Sequence, residues 1–172
     1  NYMFRTRRVD ADLVFPERKV KLYPVDPTSE ELSLQALMAD WIDDFNPLEQ
    51  TSLLVALMSS PHAFAAQLSN TTVKRPEIEP LATRVRQIVA TIEAPAKTQV
   101  LRKIIADLQQ QGENWRMVVF TTRKETQRML GSFLEEIGIA SGFITGGEAA
   151  RNRQAIRKFR QEKPEINVII ST

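Results

Sequence analysis

The chain of 172 residues contains no cysteine. That excludes structural disulfides and thiolate zinc sites and fits a reducing, cytoplasmic setting. A single histidine, His62, leaves no His-rich metal cluster and no catalytic dyad built around a second one. No apolar run approaches the roughly 20 residues needed to span a bilayer, so no membrane role is expected. The opening Asn1-Tyr2-Met3-Phe4-Arg5 has no leader-type apolar core and does not start with methionine. It reads as a cut into a longer chain. Neither sign of charge dominates: 23 basic residues face 21 acidic ones, a formal net charge of +2. An argument for nucleic acid must therefore rest on local clusters. The remaining composition, 42% apolar and 26% charged, is that of a globular protein able to bury one core, or one core plus a helical subdomain.

What is present changes character along the chain. Residues 1–28 read as an extended junction, basic at Arg5, Arg7 and Arg8. Charged and apolar residues alternate from Phe15 to Tyr23, as in a half-exposed strand. Residues 29–96 read as an all-helical subdomain. Thr28 and Glu31 have capping-box spacing, and Leu34, Leu37, Met38 and Trp41 follow at helical intervals. A second helix runs from Leu48 to Ser59, and a third starts at Ser60-Pro61. Asn70 to Pro80, with two prolines and no periodicity, reads as an exposed loop. Leu81 to Glu93 is helical again. The nearby acids Asp40, Asp43 and Asp44 have no third ligand type beside them and read as solvated. Trp41, Phe45 and Trp115 read as packing anchors.

From Lys97 to Thr172 the pattern is helix, strand, helix, strand, helix, strand with short connections, which predicts a parallel α/β sheet. Leu101 to Leu108 forms the first helix, closed near Gly112. Met117 to Phe120 is a continuous apolar run of the kind found in buried parallel strands. Thr122 and Glu125 suggest another capping box, opening a helix that Gly138 ends. A strand through Gly142 to Thr145 leads into Gly146-Gly147 and the basic helix Ala149 to Gln161. Pro164 stops that helix, and Ile166 to Ile170 forms the third strand. A sheet of three strands leaves its edges open, which implies further chain, another molecule over the gap, or self-association through the unfinished sheet.

Met117-Val118-Val119-Phe120-Thr121 with the helix that follows resembles the fourth motif of superfamily-2 helicases, at the start of the second RecA-like lobe. Phe143-Ile144-Thr145-Gly146-Gly147 followed by Arg151 to Phe159 resembles the next conserved segment, and Val168 to Thr172 resembles the strand that delivers the fifth motif. Lys97 matches the lysine at the lobe boundary. Phe4 to Arg8 with Phe15 to Arg18, and Ser59-Ser60-Pro61-His62-Ala63, narrow the resemblance to the Swi2/Snf2 family, in its bacterial RapA-like branch. The order and spacing of these segments carry the resemblance, which covers nearly the whole chain.

That resemblance implies a partial RecA-like parallel sheet (the helicase C-terminal lobe of a P-loop NTPase-type motor) preceded by a helical insertion. It implies a nucleoid-associated parent that hydrolyses ATP with Mg2+ and moves along duplex DNA. Partners would be the DNA backbone, the first RecA-like lobe, and RNA polymerase or another DNA-bound protein. The chain itself has no phosphate loop, no Asp-Glu pair after a strand and no arginine-bearing sixth motif. It is therefore expected neither to bind ATP tightly nor to hydrolyse it, and no catalytic, cofactor or metal residue is assigned. DNA-facing candidates are Thr121, Arg123, Gly146, Gly147, Arg151, Arg153 and Thr172, at or beside the carboxyl ends of the strands, where open parallel sheets meet ligands. Hydroxyls, loop N–H groups and helix N-termini there suit phosphate oxygens, although Thr122 could simply cap a helix and Gly146-Gly147 simply turn the chain. Arg5, Arg7 and Arg8 could face DNA or the first lobe. Arg157 to Lys163 reads as a solvated basic face, and His62 as structural. Two other readings stay open: an RNA helicase of the same superfamily, and a non-enzymatic α/β interaction module.

Overall fold

The computed structural model describes residues 19–172. The expectations placed on Arg5, Arg7, Arg8 and residues 15–18 lie outside these described residues. Residues 19–28 form no strand, contrary to their alternating pattern. A strand needs a neighbour to take its backbone hydrogen bonds, and none runs beside this segment among the described residues. Val20 and Leu22 are accordingly 72% and 88% exposed. Pro24 and Pro27 each remove a donor.

Four helices then pack on one another. Helix α1, Ser29–Trp41, begins with the expected capping box. The Thr28 N–H donates to Glu31 Oε2 at 2.9 Å, and the Glu31 N–H donates to Thr28 Oγ1 at 3.2 Å. Helix α2, Pro47–Ser59, starts with a second such box, Asn46 with Glu49, ahead of the apolar run that marks the helix in the sequence. In α3, Pro61–Thr72, the Ser60 hydroxyl accepts the Ala63 N–H at 3.1 Å. Helix α4 is Glu79–Val89. The loop expected from Asn70 to Pro80 is a correction. Helix α3 runs on to Thr72, and Pro76–Ile78 forms a 3-10 turn whose Ile78 is buried. Both prolines sit in the first turn of a helical segment, where the missing N–H has no intrahelical partner to lose.

The resulting core contains Leu34, Met38, Leu53, Phe64, Leu68 and Leu81, with Phe45 buried among them and Trp41 against its side. Only one side of α2 enters it, through Leu53 with Leu57 packed alongside. On the other side Leu48 is 81% and Met58 73% exposed.

The second half alternates helix and strand: α5 Ala96–Gln109, β1 Met117–Phe120, α6 Lys124–Glu136, β2 Ser141–Ile144, α7 Ala149–Arg160 and β3 Val168–Ser171. The strands are parallel in the order β1-β3-β2, so the last strand in sequence is the central one, with Met117 and Ser141 both opposite Val168. Helix α6 ends in a Schellman motif. Gly138 takes φ 72°, its N–H donates to the Glu135 carbonyl at 3.0 Å, and the Ile139 N–H donates to the Leu134 carbonyl at 2.8 Å. No capping box forms at Thr122. The helix begins one residue later, with Arg123 as N-cap and no side-chain cap, and the Arg123 N–H donates to Thr121 Oγ1 at 3.3 Å.

The two faces of the sheet are covered unequally. Met117, Val119, Val168 and Ile170 share one face and enter a second core with Ile105, Leu130 and Leu134 from α5 and α6. On the other face α7 packs over β2 and β3. A side chain at Gly142 would collide there with Ile166 and Ala155. Nothing among the described residues covers that side of β1, so Val118 is 45% and Phe120 80% exposed. The expectation of a fully buried β1 is thus corrected. Only the central β3 is buried through all its apolar residues.

Polar contacts join the two cores. The Ser59 and Ser60 hydroxyls each lie 2.8 Å from the Thr126 hydroxyl on α6. Lys97 Nζ donates to the carbonyl of Met58 and, at 3.5 Å, to that of Ser59, placing a cation at the carboxyl end of the α2 dipole. The Ala96 N–H reaches Glu31 Oε1 at 3.3 Å. No helix among the described residues is long and apolar enough to cross a membrane.

Candidate functional site

The carboxyl ends of the three strands form one edge, and the sheet order places Thr172 between the other two ends. The Thr121 N–H donates to the Ser171 carbonyl at 2.9 Å, and the Thr172 N–H donates to the Ile144 carbonyl at 3.2 Å. Thr121, Gly146, Gly147 and Thr172 therefore share this edge, as the sequence suggested. Helices α6 and α7 both begin here, and neither has a side-chain cap. Their first-turn N–H groups thus have no side-chain cap, and the positive ends of their dipoles lie at this edge.

The β2–α7 connection is a tight turn. Gly147 has φ 85°, a left-handed conformation that a side chain would strain, and the Glu148 N–H closes the turn on the Thr145 carbonyl at 3.3 Å. Asn152 clamps it from α7. Its Oδ1 accepts the Thr145 N–H at 3.1 Å, and its Nδ2 donates to the Thr145 carbonyl at 2.8 Å. Gly146 and Gly147 are exposed, and nothing occupies the space a Cβ would take at either.

Gln127 on α6 organises the same edge from below. It is only 5% exposed. Its Nε2 donates to the carbonyls of Ile170 at 2.8 Å and Ile144 at 3.2 Å, and its Oε1 accepts from the Thr145 hydroxyl at 3.3 Å. One amide thus links the ends of β3 and β2 to the turn after β2. Gln127 and Asn152 were not singled out from sequence. The available signal is position: Gln127 lies three residues before Leu130, on the buried stripe of an amphipathic helix, where an unpaired amide is costly.

The arginines divide into two kinds. Arg151 is 81% exposed and pairs with Glu148 at 3.3 Å, and Arg153 is exposed with no ion-pair partner among the described residues. Both sit in the first turns of α7, where the helix dipole disfavours cations. Arg123 is turned away from the strand ends. Its Nη1 donates to Gln67 Oε1 at 3.0 Å and its Nη2 to the Ser52 carbonyl at 3.0 Å, so the edge-facing candidate is tied to α2 and α3. Further along α7, Lys158 pairs with Glu165 at 3.1 Å, and the helix end is capped by Arg116, whose Nε donates to the Phe159 carbonyl at 2.7 Å.

No three His, Cys, Asp or Glu side chains are grouped to hold a metal among the described residues. His62 lies beside the cleft between α3 and α6, and partial burial lowers its pKa. The unfolded chain then takes the proton first, so stability is full above about pH 6.5 and declines as pH falls through the lowered folded value. The ring is still largely exposed, so the loss is expected to be small. Thermal unfolding between pH 7 and 5 should show a slope that His62→Gln reduces.

No protein-family model matches the chain, and no curated protein matches it. The functional reading therefore rests on the edge and the order of the segments that build it.

Proposed function

We propose that this chain is part of a Swi2/Snf2-type, DNA-stimulated ATPase, comprising the interlobe junction, a helical insertion and the first half of the second RecA-like lobe. Its part in that motor is to hold one strand of duplex DNA by the backbone and to shift with the other lobe as nucleotide turns over. ATP and Mg2+ belong to the parent, whose catalysis is by positioning and charge stabilisation. The observation that carries the reading is the gathering at one sheet edge of Thr121, the Gly146-Gly147 turn, Thr172 and two uncapped helix N-termini, flanked by exposed Arg151 and Arg153. Threonine hydroxyls, free N–H groups of the turn and helix starts, and guanidinium groups can each donate to phosphate oxygens without reading a base.

Fluorescence anisotropy with a short labelled duplex across a salt series tests it. If Arg151 and Arg153 each neutralise one phosphate, the double variant Arg151→Ala/Arg153→Ala binds more weakly at low salt. Its slope of log affinity against log salt is then smaller by about 2. An unchanged slope would remove these arginines from the interface. Tighter binding of single-stranded RNA than of duplex DNA would move the assignment to an RNA helicase.

One observation favours the interaction-module reading. Leu48, Leu54, Val55 and Met58 leave exposed apolar surface on the side of α2 away from its own core, with Val55 and Met58 lining the cleft toward α5 and β1, more than scattered surface residues require. A protein that binds no nucleic acid of either kind and yet loses a protein partner on Met58→Lys would support that reading.

A further inference from the structure

The Arg123 guanidinium is held by a neutral amide and a backbone carbonyl, with the Ser52 hydroxyl at 3.5 Å and, among the described residues, no carboxylate in its ion-pair range. A cation held only by neutral acceptors keeps its unneutralised charge, and with it the Coulomb attraction for an incoming anion. The backbone of the same residue is the N-cap of α6, at the strand edge, and its neighbour Thr121 is hydrogen-bonded to β3. The side chain that reaches into the helical half therefore starts from the surface proposed to carry phosphate.

We propose that Arg123 is a shared latch, resting on Gln67 and Ser52 when the edge is empty and transferring to a backbone phosphate when the edge is filled. This rests on the phosphate-binding reading of the edge. The transfer would couple grip on the nucleic acid to release of the helical half. The hydrogen bonds that remain between the start of α3 and α6 are then those of the hydroxyl cluster of Ser59, Ser60 and Thr126, which holds no net charge. Open clefts lie on both sides of that cluster, one lined by Val55, Met58, Val100 and Met129, the other by His62, Arg102 and Arg128. The junction therefore has room to rearrange. Because coupling is reciprocal, weakening the latch must strengthen binding at the edge.

The test is a cycle on the chain with a short duplex, repeated with inorganic polyphosphate, which has the charge of a nucleic-acid backbone and no bases. Gln67→Ala removes the side-chain acceptor from a helix surface and should tighten binding about three- to tenfold, the range set by the net contribution of one typical, partly exposed hydrogen bond. Arg123→Ala should weaken binding, and in that background Gln67→Ala should have no effect. Arg123→Lys, which keeps the charge but loses the fork, should bind while showing a reduced response to Gln67→Ala. In parallel, amides of α3 should exchange faster when either probe binds, and this change should vanish in Arg123→Ala. Binding with no change in α3 exchange, or a Gln67→Ala effect equal in both backgrounds, overturns the latch and leaves the edge reading standing. Binding of polyphosphate but not of duplex, with the α3 response intact, keeps the latch and overturns the DNA assignment. Failure of both probes to bind overturns the two together.

Discussion

Phe64→Ala is expected to destabilise the helical half by about 3–5 kcal/mol, the cost of opening a cavity that large in a packed core. Phe64 is 0% exposed and lies in a cluster built entirely from α1 to α4 and their turns. The second cluster, around Leu134 and Ile170, has its own helices and sheet. Hydroxyls, carbonyls and charged side chains connect the two, and polar contacts of this kind contribute on the order of 1 kcal/mol each. Damage to the first cluster should therefore be only weakly transmitted to the second. Far-ultraviolet circular dichroism during a urea titration should show the helical signal lost early in Phe64→Ala, followed by a later transition near the wild-type midpoint. Leu134→Ala, also 0% exposed, should do the reverse. A single transition shifted equally by both substitutions would mean that the polar junction couples the halves into one cooperative unit.

The helices were easiest to read where apolar spacing and a cap agreed, as at Thr28 with Glu31 and at Ser60 with Pro61. Asn46 forms an equally good box, but it precedes a proline at the mouth of an already apolar run, and the run drew the helix start to Leu48. At Thr122 the spacing of the box was right and the geometry was not, because the helix starts one residue later, at an Arg123 N-cap. Local spacing does not fix the residue at which the backbone turns helical. The segment from Asn70 to Pro80 misled for a related reason, since proline breaks a helix from inside and starts one from its first turn. Sheet order lay further from reach. Nothing in the apolar runs says that the last strand lies between the first two, and that order alone puts Thr172 beside Thr121 and Ile144.

The site residues show the same division. Backbone-determined candidates such as Thr121, Gly146 and Gly147 fall at the strand ends because strand and turn chemistry place them there. Arg123 is the N-cap of α6 at the strand edge, yet its side chain reaches Gln67, 56 residues away in the chain. That partner could not be inferred from spacing. Gln67 itself reads as an ordinary polar residue on α3, and only the packing of α3 against α6 gives it a role.

Gln127→Leu should cost about 1–3 kcal/mol, because it leaves buried polar groups without a partner while nearly conserving volume. The orientation of the amide follows from its neighbours: carbonyl oxygens of Ile144 and Ile170 require the NH2 end, and the Thr145 hydroxyl takes the oxygen. Leucine returns none of these bonds. For a chain of this size that free energy corresponds to a fall in Tm of roughly 2–4 °C per kcal/mol. Its location should be as informative as its size. Ile144 also accepts the Thr172 N–H, so loosening the end of β2 should speed hydrogen exchange at Thr145 and Thr172 while leaving Met117 at the opposite end of the sheet protected. Binding of the duplex should weaken more than the stability loss accounts for, because the turn bearing Gly146 and Gly147 loses its anchor to β3. Gln127→Glu should be worse than leucine, since a carboxylate would face two carbonyl oxygens in a buried place. If leucine matched the wild type in both stability and exchange, the ladder and the Asn152 clamp alone would suffice to hold the edge, and the Gly146-Gly147 turn would be set from α7 rather than from α6.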